Sequence, residues 1–141
     1  MHGLFPCYGQ IPERSYSIAA IQKAYAFGCT FFDTAESYGK ELYYPGHNEE
    51  IVGEAVEPFR KDIVLATKFH LGETEELQGS LYNTIRLHLD ASLKRLRTDY
   101  VDLYYLHRIN ERFPVEEIAQ VLGQLIDQGL IRGWGCPRCR R

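Results

Sequence analysis

Three polar residues stand where short apolar runs end, and their types could do acid–base chemistry. Asp33, Lys68 and His107 are separated by roughly 35 to 40 residues, about the length of one β-α unit. In a parallel barrel the C-terminal strand ends converge on one rim. A lone Asp, Lys or His is more often structural than catalytic, but three at equivalent positions favour a shared site. We therefore predict that these three side chains meet.

Tyr38 adds a proton donor to this set, because it lies five residues beyond Asp33 on a loop expected to cover the same rim. A free phenol, with a pKa of about 10, is a poor acid near neutrality. A neighbouring ammonium such as Lys68 stabilises the phenolate form, and Asp33 can keep that lysine charged. Such an acid can protonate a carbonyl oxygen as hydride reaches the carbon, while His107 hydrogen-bonds to the same oxygen.

The elements that must position these residues alternate in type. Apolar runs of strand length alternate with segments of helical period, which predicts β-α units and a parallel sheet. Strands are predicted at 30–33, 63–68, 101–107 and 130–134, and 4–7 could be the remnant of an earlier strand. Helices are predicted at 17–27, 48–56, 80–96 and from Pro114 to Gly129. The irregular stretch 36–47 is a candidate active-site loop.

The apolar stripes of these helices predict which faces are buried. The helix at 80–96 carries apolar residues every four positions, and the helix after Pro114 carries a second stripe. Asn48 is expected to open the helix at 48–56, with Glu49 and Glu50 in its positive first turn. The predicted buried residues are Leu81, Ile85, Leu89, Leu93 and Leu96, and Ile118, Val121, Leu122, Leu125 and Ile126.

Composition narrows the class of protein without naming an activity. The chain has 141 residues and a formal net charge of -3, which favours neither nucleic acid nor an anionic membrane surface. It carries no apolar run long enough to span a membrane and no signal-peptide pattern, so a soluble cytoplasmic protein is expected. The four scattered cysteines do not suggest a disulfide framework, and Cys136-Pro137-Arg138-Cys139 is at most half of a zinc site, so no metal is predicted.

The motifs around the four polar residues resemble those of one enzyme family. The segments Phe32-Asp33-Thr34-Ala35-Glu36-Ser37-Tyr38-Gly39, Ala66-Thr67-Lys68 and Tyr104-Tyr105-Leu106-His107 are similar to the aldo-keto reductase motifs that carry an Asp, Tyr, Lys and His tetrad. Supporting similarity lies in Asn48-Glu49-Glu50-Ile51-Val52-Gly53, Leu93-Lys94-Arg95-Leu96 and Asp99-Tyr100-Val101-Asp102. The resemblance implies an α/β fold, namely a partial (β/α)8 TIM barrel made of the N-terminal β-α units only.

The resemblance also implies a reaction and roles for the tetrad. In this family a reduced nicotinamide cofactor, usually NADPH, transfers hydride to an aldehyde or ketone. By resemblance Tyr38 is the general acid, Asp33 and Lys68 tune it, and His107 positions the carbonyl. Asp33 would also bind the cofactor near the nicotinamide ribose. The alternatives are a non-catalytic fragment and a nucleotide-sensing binding protein of the same fold.

The chain departs from the family pattern at its C-terminal end. A complete barrel needs about 250 residues, so residues 1–135 are expected to form a partial barrel that stops after about the fifth strand. Residues 136–141 are expected to be an atypical, disordered tail, and a frameshift is one hypothesis for its origin. By resemblance, most residues that bind the cofactor would lie beyond this point, so the chain alone is expected not to bind the cofactor and to be inactive. Unpaired strand edges predict self-association.

Overall fold

The computed structural model describes residues 14–38, 44–72, 75–108 and 110–136, in which strands and helices alternate as predicted. The strands are β1 (Phe31–Asp33), β2 (Val64–Phe69), β3 (Val101–Leu106) and β4 (Ile131–Gly135). The helices are α1 (Arg14–Ala26), α2 (His47–Val56), α3 (Leu81–Leu96) and α4 (Val115–Asp127), with a 3-10 helix at Glu57–Asp62. Among the described residues, no helix combines the length and apolarity needed to cross a membrane. The strand predicted at 4–7 and the tail beyond Cys136 lie outside the described residues.

The four strands form one parallel sheet in the order β1-β2-β3-β4. The register places Asp33 opposite Ala66, and Lys68 opposite Tyr105. Because every strand runs in the same direction, all four C-terminal ends lie at one edge of the sheet. The predicted fold class, an α/β partial barrel built from successive β-α units, is confirmed.

One hydrophobic core joins the helices to one face of the sheet. Leu65 and Phe69 of β2 and Tyr104 and Leu106 of β3 are buried in it. The helices contribute apolar residues from their inner stripes: Ile21, Ile51, Leu89, Leu93, Ile118 and Leu122. The alternate strand positions Val64, Leu103 and Tyr105 are exposed or only partly buried. Side chains on that second face are therefore available to form a site.

Helix α3 begins and ends as the sequence indicates. Ser80 is its N-cap, and the Ser80 hydroxyl accepts a hydrogen bond from the Asn83 backbone N–H at 3.1 Å. The predicted stripe is buried at Ile85, Leu89, Leu93 and Leu96, while Leu81 is half-buried. This long helix therefore lies with one apolar face against the sheet.

Two details of the helix predictions are wrong. Gly46, with φ 88°, caps α2, whereas Asn48 lies buried inside the first turn, where the Thr34 hydroxyl donates to its Oδ1 at 2.6 Å. The amide of Asn48 thus holds a strand end instead of capping a helix. In α4, Ile126 is 37% exposed because it lies at the edge of the stripe formed by the other four apolar residues.

The 3-10 helix is an element that the sequence pattern does not predict. It has six residues, Pro58 near its start, and non-helical backbone angles at Phe59. So short and irregular a segment carries no apolar period that could identify it.

Two of the four cysteines lie within the described residues. Cys29 is free and partly buried. Cys136 is disulfide-bonded. The scattered spacing of the cysteines does not predict this bond.

The contact between α2 and α3 generates a test of this packing. A Cβ on Gly53 of α2 would lie 2.5 Å from the Arg95 carbonyl oxygen and 2.6 Å from Leu96 Cα, which are backbone atoms that cannot rotate away. We expect Gly53→Ala to lower the free energy of unfolding by about 1–3 kcal/mol. Gly123 of α4 has nothing within 4 Å of such a Cβ, so Gly123→Ala should raise it by about 0.4–1 kcal/mol. Urea unfolding measures both, and equal stabilisation by the two variants would contradict the close approach.

Candidate active site

Asp33 and Lys68 form an ion pair where β1 and β2 end. Lys68 Nζ lies 2.7 Å from both carboxylate oxygens of Asp33, and both side chains are 15% exposed. The ammonium also donates to the Thr34 carbonyl oxygen at 3.2 Å. Charge-assisted bonds of this length from a single ammonium fix the lysine side chain at the rim.

The same ammonium reaches Tyr38. Lys68 Nζ lies 3.2 Å from the Tyr38 hydroxyl and 5.0 Å from the centre of its ring. The backbone of Tyr38 is held by a turn to Ala35 and by the Asn48 N–H, which donates to the Tyr38 carbonyl oxygen at 3.4 Å. Lys68 therefore bridges the carboxylate of Asp33 and the phenol of Tyr38, as the sequence predicts for their positions.

His107 completes the group from the end of β3. Its backbone N–H donates to the Phe69 carbonyl oxygen at 2.8 Å, which continues the β2-β3 ladder by one residue. Its ring lies edge-on to the Tyr38 ring, with 6.1 Å between ring centres, and its Nδ1 is 3.4 Å from the Ser37 hydroxyl. The structure thus brings all four predicted residues to one rim.

The electrostatic surroundings of His107 favour its uncharged form. Burial lowers the pKa of His107 below its ordinary value, and the positive charges of Lys68 and Arg108 lower it further. A neutral imidazole carries one N–H. If the Ser37 hydroxyl donates to Nδ1, the remaining nitrogen, Nε2, holds that proton and can donate it to a ligand oxygen.

A buried polar cluster beneath the rim is absent from the sequence-based prediction. Glu49 of α2 is fully buried, where it accepts hydrogen bonds from the Thr67 hydroxyl and from Arg95 Nε, the latter at 2.7 Å. Burial raises the pKa of Glu49, and the charge of Arg95 opposes that effect. Thr67 precedes Lys68 on β2, so this cluster holds the strand from the helix side while Lys68 faces the site.

The sequence does contain a signal for the burial of Glu49. It lies three residues before Val52 and seven before Val56, on the same helical stripe as these buried residues. The prediction places Glu49 only in the positive first turn of the helix and does not take account of this stripe. A carboxylate on an apolar stripe indicates a buried partner, here Arg95.

The comparisons with known proteins agree with this geometry. The model of the aldo/keto reductase family matches residues 7–138. A relative from Schizosaccharomyces pombe, aldo-keto reductase yakc [NADP(+)], is 40% identical over 143 residues, which cover 97% of this chain and 40% of the relative. Aldo-keto reductase YhdN of Bacillus subtilis is 40% identical over 91% of this chain and 38% of its own length.

Solved structures show the same likeness in three dimensions. A thermostable aldo-keto reductase in complex with the inhibitor epalrestat superposes with a TM-score of 0.76 at 33% identity, over 90% of this chain and 43% of the other. An aldo-keto reductase from Klebsiella pneumoniae in complex with NADPH gives a TM-score of 0.70 at 32% identity, over 87% of this chain and 39% of the other. The chain spans about 40% of the length of the curated relatives it matches. On the family model, the relatives and the fold together, this chain belongs to the aldo/keto reductase family.

Proposed function

We propose that the rim formed by Asp33, Tyr38, Lys68 and His107 reduces an aldehyde or ketone with NADPH, and that Tyr38 is the general acid. The observation that carries this proposal is the position of the Lys68 ammonium, 2.7 Å from Asp33 and 3.2 Å from the Tyr38 hydroxyl. Such an arrangement supplies a phenolic proton next to a fixed positive charge. A carbonyl oxygen gains negative charge during reduction and needs such a proton donor.

Tyr38 donates its hydroxyl proton to the carbonyl oxygen as that oxygen becomes an alkoxide. The phenolate that remains on Tyr38 is stabilised by the adjacent Lys68 ammonium, which donates a hydrogen bond to it. Asp33 orients Lys68 through both carboxylate oxygens. The three residues therefore work as one proton-donating unit.

His107 orients the carbonyl group in this proposal. A neutral imidazole with its proton on Nε2 donates a hydrogen bond to the carbonyl oxygen without competing to protonate it. The lowered pKa of His107, caused by burial and by Lys68, keeps the ring in that neutral form near pH 7. A hydrogen bond donated by the Ser37 hydroxyl to Nδ1 would leave the proton on Nε2, as this role requires.

The donor set fits the reacting end of a nicotinamide cofactor, which supplies the hydride when bound. The carboxylate of Asp33 lies at the rim, and a carboxylate oxygen is the type of acceptor that binds a ribose hydroxyl. The remaining 15% exposure of the Asp33 side chain leaves it accessible from the rim. NADP(H) appears in the names of the yeast relative and of the Klebsiella complex, which supports this cofactor over others.

Replacing the proposed acid tests the reaction. If the rim is the proposed active site, Tyr38→Phe should lower kcat for aldehyde-dependent oxidation of NADPH, followed at the nicotinamide absorbance, by about 100-fold or more because the proton donor is lost. Tyr16→Phe is the matched control, since Tyr16 is an exposed tyrosine on α1, and it should leave the rate unchanged.

The outcomes of this assay separate the alternatives. Saturable quenching or enhancement of NADPH fluorescence without carbonyl-dependent oxidation would contradict the reductase and support a nucleotide-sensing binding protein. Absence of both binding and oxidation would support a non-catalytic chain. Oxidation that survives Tyr38→Phe would remove Tyr38 from the role of acid.

A second variant tests the electrostatics without turnover. Lys68→Met removes a positive charge that lowers the pKa of His107, so that pKa should rise. Titration of the imidazole resonances by NMR measures it, and Lys94→Met, an exposed lysine on α3, serves as the control that should leave it in place. An unchanged or lower pKa of His107 in Lys68→Met would show that the two groups are not neighbours.

A further inference from the structure

His88 joins two loops of the rim to helix α3 through a cluster that we name the His88 clamp, made of Glu36, Glu75 and His88. His88 Nδ1 lies 2.9 and 3.1 Å from the two carboxylate oxygens of Glu36, on the loop after β1. Its Nε2 lies 3.0 Å from Glu75 Oε1, on the loop after β2. Each ring nitrogen therefore faces a carboxylate on a different loop.

This geometry requires a doubly protonated ring. Carboxylate oxygens only accept hydrogen bonds, so both nitrogens of His88 must donate, and only the imidazolium has two N–H groups. The three side chains are 16 to 24% exposed, which protects these bonds from competition by water. The hydrogen bond to Glu36 raises the pKa of His88 to about 9, although burial works against it, and Glu75 adds to the rise.

The clamp connects directly to the residues of the rim. Glu36 also accepts the His70 backbone N–H at 2.8 Å, and its own N–H donates to the Lys68 carbonyl oxygen at 3.2 Å. Glu36 stands two residues before Tyr38 and next to Ser37, which contacts His107. Because a single residue separates Glu36 from Tyr38, we expect a displacement of Glu36 to displace the proposed acid as well.

Among the residues that the structure describes, the other charges around His88 do not offer it a competing partner. A cavity of about 510 Å³ beside the clamp is lined by all three of its members and also by His70 and Arg95. The charge of Arg95 is directed to the buried Glu49 of α2. On α3 itself, Asp90 pairs with Arg86 on the exposed side. Within the described ranges, Glu36 and Glu75 are therefore the carboxylates that the imidazolium faces.

We propose that His88 is a positioning residue whose imidazolium docks Glu36, and with it residues 36–38 of the loop after β1, and Glu75 of the loop after β2 onto α3, and that loss of its proton releases them. The docking itself follows from the contacts, whereas its effect on carbonyl reduction rests on the proposed function. Because the pKa is raised in the folded chain, the clamp is fully formed below about pH 6.5 and is lost as the pH rises through about 9. Near pH 7 the loops are held.

NMR on the intact chain tests the clamp without any turnover. The nitrogen and carbon resonances of the His88 ring should report an imidazolium at pH 7.5 and a pKa of about 9. Glu75→Gln should move that pKa toward the ordinary 6.5, and Glu36→Gln should move it further, because Glu36 is the larger cause. Glu76→Gln, an exposed neighbouring glutamate, is the matched control and should leave it unchanged. A wild-type pKa near 6.5, or no shift in Glu75→Gln, would overturn the clamp.

The positioning role has its own readouts. Backbone amide resonances of residues 36–38 should shift with the same midpoint as His88 and follow it to lower pH in Glu75→Gln but not in Glu76→Gln. The alkaline limb of the pH profile for carbonyl reduction should move in the same way. If turnover is absent altogether, the proposed function fails. The amide resonances still show whether residues 36–38 follow the titration of His88, so the clamp is tested independently. If His88 titrates as expected but the amides and the profile do not follow, the positioning role is wrong.

Discussion

The ammonium of Lys68, held between Asp33 and Tyr38, is the interaction on which the site depends. A lysine that is only 15% exposed needs a counter-charge, because burial disfavours the charged form. Asp33 supplies that charge with two bonds of 2.7 Å, and the parallel pairing of β1 with β2 brings the two strand ends close enough to make them. The register of the sheet therefore determines the position of the Lys68 ammonium. That position places a positive charge next to the Tyr38 hydroxyl.

Other residues of the family motifs form buried hydrogen bonds on the helix side of the same strand ends. Thr34 follows Asp33, and Thr67 precedes Lys68. Both threonine side chains point toward the helices, where the Thr34 hydroxyl donates to Asn48 and the Thr67 hydroxyl donates to Glu49 of α2. Arg95 of α3 compensates the charge of Glu49. A buried carboxylate without such a partner costs several kcal/mol, so this cluster fixes the distance between α2, α3 and the end of β2. The side chains of the proposed acid–base group and those that hold the strands thus alternate along the chain.

Strand ends and helix stripes could be predicted from the sequence because both are local patterns with a fixed period. That is why the positions of Asp33, Lys68 and His107 at one rim follow from spacing alone. The His88 clamp could not be found in this way, because Glu36 and His88 are 52 residues apart and meet only through the packing of α3 against the sheet. Asn48 shows a further limit, since an amide can cap a helix or satisfy a buried hydroxyl, and only the tertiary structure decides between them.

The central claim is that one lysine joins a carboxylate and a phenol at the end of two neighbouring strands. A nuclear Overhauser measurement on the isotope-labelled chain tests it most directly. The terminal methylene of Lys68 should show a contact with the ring protons of Tyr38, because the ammonium lies 5.0 Å from the ring centre. Replacing Asp33 with Asn should weaken that contact, since the carboxylate holds the lysine in place. A wild-type chain in which Lys68 shows no contact with Tyr38 would contradict the account.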